Sequence, residues 1–192
     1  MKASRVLLVV VGAVVLLAVI GGGCTCRGYN RAISLDESVK SEWSQVENQL
    51  QRRFDLIDNL VATVKGTAGQ EEKIFLGVAE ARKAYFQADS VPKKAEAAGA
   101  FESALSRLLV LRESYPQLRS NEAFLKLQDQ LEGTENRLSV ERKRYNEAVK
   151  RLNTLSRGFP GRFYASLAGV TQGEYFEVEE AAKATPKVDF SE

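Results

Sequence analysis

The residues best suited to chemistry are carboxylates at helical spacing: Asp55 with Asp58, and Asp129 with Glu132 and Glu135. Paired carboxylates can move protons or hold two metal ions, but such sites in helical bundles draw on Glu-x-x-His pairs, and this chain has no histidine. The same absence removes the commonest metal ligand and every Ser-His or Cys-His dyad. Calcium can be held by oxygen alone, yet no stretch resembles an EF-hand loop. Gly66 and Gly69 are followed by no lysine in a phosphate-loop pattern and preceded by no strand. A Ser-Lys dyad stays open, with nothing to place it. The expectation is a protein that is not an enzyme, with no catalytic residue, cofactor or metal ligand, whose spaced carboxylates belong to a solvated face.

Charge is balanced, with 27 Lys and Arg against 25 Asp and Glu, a net of +2 and 27% charged residues. Nucleic acid is not expected as a partner of so mixed a surface. The basic clusters Arg52-Arg53, Lys93-Lys94 and Arg142-Lys143-Arg144 have acids interspersed and read as solvated; near a membrane they would meet anionic headgroups. Glu135, Asn136, Arg142, Tyr145 and Asn146 fall within a few turns of one helix and form the candidate interaction surface. Hydrogen bonds between helices are an equally weighted use for them.

These groups need elements to position them. No charged residue lies between Arg5 and Arg27, and that run makes about 31 Å of helix, enough to cross a bilayer. Residues 1–27 are therefore read as a single-pass anchor in contact with membrane lipid. A secretory signal competes, because the densest apolar part is short and follows Lys2 and Arg5. Lipoprotein processing is a third reading: Gly23 suits a lipidated Cys24, whereas Gly21 fits poorly three residues before it. Without lipid, Cys24 and Cys26 are small interfacial residues too close in sequence for an unstrained disulfide. Lys2 and Arg5 on one flank balance Arg27, Arg31 and Lys40 on the other. The basic start followed by an apolar run places the folded part outside the cytoplasm.

From Ser34 the pattern becomes helical. Ser34-Leu35-Asp36-Glu37 forms a capping box, which predicts a helix start there. Val39, Trp43, Val46, Leu50, Phe54, Ile57, Val61 and Val64 then form one apolar face until Gly66-Thr67-Ala68-Gly69. A second helix is predicted over Gln70 to Ala88. A third begins at Ser90 and Pro92, with Phe101, Ala104, Leu105, Leu108 and Leu111 inward. Tyr115-Pro116 interrupts it, and a long fourth helix carries Phe124, Leu127, Leu131, Leu138, Tyr145, Ala148, Leu152 and Leu155 before Gly158 and Pro160 stop it. Two positions on its seam are polar. Thr134 is expected to return its hydroxyl to the preceding turn, and Glu141 to reach solvent or an arginine.

The fold class that follows is all-α: an amino-terminal transmembrane helix and then an antiparallel four-helix bundle with long first and last helices, the bundle spanning residues 28–158. Residues 159–192 hold Phe159, Phe163, Tyr164, Tyr175, Phe176 and Phe190, too many aromatics to leave in water, so this tail is expected to dock on the bundle. A membrane-dipping or partner-binding tail is the lesser alternative.

The chain resembles the LemA family from about Gly28 to Phe190. The resemblance rests on Gly28-Tyr29-Asn30, Trp43-Ser44-Gln45-Val46-Glu47, Arg52-Arg53, Asp55-Leu56-Ile57, Asn59-Leu60-Val61 and Val64-Lys65-Gly66. Further on it takes in Tyr115-Pro116, Phe124-Leu125, Leu127-Gln128, Thr134-Glu135-Asn136-Arg137 with Arg142, Tyr145-Asn146, Phe159-Pro160 and Glu174-Tyr175-Phe176. Asp58 stands where the family usually has proline, Thr67 replaces an aromatic, Gln70 a histidine and Glu141 a small residue. The resemblance implies one amino-terminal anchor, a helical bundle and no assigned catalytic activity. It favours a scaffold or adaptor for a protein partner of the bacterial envelope, whose identity the residues leave unknown. The alternative is a membrane organiser that self-associates as a homo-oligomer and touches lipid headgroups.

Overall fold

Apolar residues every three or four positions commit the chain to helices, and the computed structural model bears this out. It describes residues 2–177, with side chains from Val11 onward, and no strand occurs among them. The helices are α1 Lys2–Lys65, α2 Glu72–Gln87, α3 Val91–Ser114, α4 Pro116–Arg119, α5 Glu122–Arg157 and α6 Gly161–Leu167. By length and composition α1 suffices to cross a membrane, its most apolar stretch having a mean hydropathy of 1.7.

The largest departure from the sequence pattern is at Ser34. No helix begins there; α1 runs through the capping box without a break. A cap is needed only where amides lack a carbonyl one turn back, and residues upstream are already helical and supply those carbonyls. Asp36 and Glu37 instead each lie 2.8 Å from the Lys40 ammonium. The three glycines upstream are carried in the same helix, where the Thr25 hydroxyl donates to the Gly21 carbonyl at 2.8 Å.

Other boundaries are closer to expectation. Ser90 takes the extended N-cap position of α3 with proline in the first turn, but its side chain makes no capping hydrogen bond. Pro116 opens the short helix α4, where the pattern indicated only an interruption. The start of α5 is capped by Asn121, whose side-chain oxygen accepts from the Phe124 amide at 3.0 Å.

The chain divides into two compact units, Met1–Trp43 with Glu147–Gly173, and Ser44–Asn146 with Glu174–Glu192. In the first, Ala32 and Leu35 of α1, Ala148, Val149 and Leu152 of α5, and Ala165 of α6 are buried. Gly28 matters here, because a Cβ would fall inside the Tyr164 ring of α6. In the second, Phe54 of α1 meets Phe101 of α3 edge-on at 4.6 Å and Tyr85 of α2 at 5.0 Å. Leu50, Ile57, Leu60, Leu108, Leu118 and Leu138 are buried in the same unit. Of the carboxyl-terminal aromatics, Phe176 is buried and Tyr164 half-buried, whereas Phe159 and Phe163 stand exposed. Phe190 lies outside the described residues.

Both polar seam positions behave as their chemistry requires. Thr134 is buried and donates to the Leu131 carbonyl at 2.7 Å. Glu141, whose side chain is 14% exposed, accepts at 2.9 Å from the exposed guanidinium of Arg144. Such pairs contribute at most about 1 kcal/mol. Glu141→Ala should therefore leave the melting temperature of the detergent-solubilised chain nearly unchanged; a clear rise would show the carboxylate buried without a partner.

Candidate functional site

Arg53 follows Leu50 by three residues and precedes Ile57 by four, so helical geometry turns it to the buried face of α1. The basic pair read as solvated is thus split: Arg52 is exposed, and Arg53 is only 4% exposed. A guanidinium taken out of water costs several kcal/mol unless carboxylates answer it. Two do. Its Nη2 lies 2.6 Å from Glu102 Oε2 of α3, and its Nη1 pairs with Glu135 of α5. The other oxygen of Glu135 is 3.7 Å from Nη1 of Arg142, one α5 turn-pair further on.

The quartet is charge-balanced. Burial pushes the Glu102 carboxyl above the usual carboxylate range, although Arg53 and Arg142 pull it down. Burial also holds both guanidiniums below the ordinary arginine value, Arg53 and Arg142 alike, but far too high a starting value leaves them cationic at neutral pH. Each carboxylate is engaged by a fixed cation, which suits the cluster to tying α1, α3 and α5 together. Around it, the Tyr85 hydroxyl, Glu102 Oε1 and Arg142 Nη2 are among the buried atoms with no protein hydrogen-bond partner among the described residues.

Arg142 links this core to the carboxyl-terminal segment, its guanidinium lying over the Phe176 ring at 5.1 Å. One turn on, the Tyr145 hydroxyl donates to the Glu174 carbonyl at 2.7 Å. Burial pushes that hydroxyl's pKa up to about 12. Asn146 exchanges two bonds with the Phe176 backbone, donating to its carbonyl at 3.0 Å and accepting from its amide at 2.9 Å. Within the first unit Asn153 grips Gly173 in the same way, both bonds at 2.9 Å. A side-chain amide here supplies the donor and acceptor that a neighbouring strand would otherwise offer.

Of the candidate interaction residues, Glu135, Arg142, Tyr145 and Asn146 thus gather around the quartet and residues 174–176, while Asn136 is exposed and makes no contact with them. Arg53, Glu102 and Asn153 were missed. Arg53 had a sequence signal, its place within the apolar stripe; Glu102 and Asn153 had none, because their partners are distant in sequence. Asp129 and Glu132 are exposed, and Asp58 pairs with Arg82. Lys93 pairs with Asp89 at 2.9 Å and Lys94 with Glu47 at 2.5 Å. Among the described residues no three acidic or cysteine side chains converge as a metal site. Cys24 and Cys26 are free thiols exposed on α1.

Removing one member of a buried ion cluster strands the others, at a cost of about 3–5 kcal/mol. Arg53→Met should lower the stability of the solubilised chain by that order, and adding Glu102→Gln, which leaves Glu135 with Arg142, should recover much of the loss. A double variant no more stable than the single one would show that the charges are not coupled.

The LemA family model matches residues 42–190. Two magnetosome proteins of Paramagnetospirillum magneticum, MamQ 1 and MamQ 2, are each 26% identical to this chain, over 82% of its length and 67% of theirs. The magnetosome protein MamQ of Magnetospirillum gryphiswaldense is 27% identical over the same shares. With the family match running through the charge quartet and the segment held by α5, the chain belongs to the LemA family.

Proposed function

We infer that this protein is a membrane-tethered adaptor, in which α1 anchors the chain and the helical part outside the cytoplasm receives a protein partner of the envelope. The observation that carries the reading is α1 itself: one unbroken helix holds both the apolar stretch and the residues that pack against the other helices. A flexible linker would leave a tethered domain free to tumble, whereas a continuous helix ties the unit packed on α1 up to Trp43 to the apolar stretch. The buried charge quartet is engaged in holding helices together, and this favours binding over catalysis.

The test is a photoreactive residue at exposed Asn136, incorporated in the full chain in living cells. The reading predicts one discrete heteromeric adduct with an envelope protein that has a domain outside the cytoplasm. Adducts with cytosolic proteins alone would overturn the placement, and the absence of any heteromeric adduct would overturn the adaptor reading.

A further inference from the structure

The uncharged stretch of α1 ends at Arg27, and the next residue, Gly28, is where the Tyr164 ring of α6 rests. Slightly further along α1, Arg31 and Leu35 line one pocket with Arg151, Thr154 and Leu155 of α5. α5 therefore runs back along α1, and the turn that joins it to α6 is held beside the end of the apolar stretch.

That corner exposes the wrong residues for water. Phe159 is 97% exposed, Phe163 58% and Leu167 55%. Phe163 and Leu167 are four apart and share one side of α6. Turns in water favour Gly, Asn, Asp and Ser, and bare aromatics gathered at one place mark a binding surface. The surrounding charge is one-sided: from Glu147 to Gly173 the chain carries Lys150, Arg151, Arg157 and Arg162 against the single acid Glu147. Aromatic and apolar side chains fringed by arginines, at the point where an apolar helix ends, match the chemistry of a bilayer interface carrying anionic lipid.

We propose that the α5–α6 corner is a second membrane contact, with Phe159, Phe163 and Leu167 entering the headgroup boundary of the bilayer that α1 crosses while Arg31, Arg151 and Arg162 meet lipid phosphates. It rests on the reading of α1 as an anchor. A lone spanning helix can rotate and tilt, and a second contact in the same packed unit removes that freedom. The pairing of Tyr164 with Gly28 then has a use beyond packing: it sets the depth of the corner relative to the anchor.

The full chain, with Trp43→Phe to remove the native indole, is reconstituted in vesicles containing phosphatidylglycerol. Single reporters are placed by Phe159→Trp, by Phe163→Trp, and by Leu16→Trp within the apolar stretch. Lipids brominated near the headgroup should quench the blue-shifted emission of Phe159→Trp or Phe163→Trp by at least about twofold, as for an interfacial indole. Lipids brominated deep in the chains should quench Leu16→Trp. If Leu16→Trp is quenched while both corner reporters emit as in water and stay unquenched, the corner lies in solvent or against protein and the proposal falls, with the anchor reading intact. If no reporter is quenched, both fall together.

Discussion

Backbone amides and carbonyls in hydrocarbon would find no water, and residues 6–26, in a helix long and apolar enough to cross a bilayer, close their hydrogen bonds along that helix. In this protein that helix does not stop where charge begins. α1 continues to Lys65, and each compact unit packs onto its own portion of it. In the first, Gly28 admits α6 and Leu35 is buried beside α5; in the second, Phe54 receives α2 and α3, and Arg53 receives carboxylates from α3 and α5.

The buried charge quartet adds selectivity that the apolar stripes lack. Leucine and phenylalanine stripes tolerate one helix sliding past another, since any apolar neighbour serves nearly as well. A guanidinium at 4% exposure does not. Slide α3 or α5 by one turn and Arg53 loses Glu102 or Glu135, leaving an uncompensated charge in the interior. Arg142 carries the same condition outward, since it joins Glu135 on one side and the Phe176 ring on the other.

Much of this architecture is written locally in the sequence, and what is not depends on distant partners. The stripe from Val46 to Val64 was legible because burial repeats with the helix, and so was Thr134, whose partner is in its own turn. Ser34 misled because a capping box is a local signal, and an already propagating helix makes it redundant. The quartet was half legible: Glu135 and Arg142 stood out as clustered polar groups on one helix, but Arg53 looked like half of a surface pair. Asn146 and Asn153 are seven apart and therefore share a face of α5, yet what they bind is backbone of a segment without regular structure, which no periodicity announces.

The account stands on the apolar stretch and the unit that packs on the following part of α1, up to Trp43, sharing one unbroken helix. Nitroxide labels at Leu16→Cys and Ser34→Cys, in a chain carrying Cys24→Ser and Cys26→Ser, sit about five turns apart on one face and should be about 27 Å apart. Pulsed electron resonance on the membrane-embedded protein is predicted to return that distance with a narrow spread. A broad distribution, or a distance well short of it, would show a hinge between anchor and bundle and contradict the account.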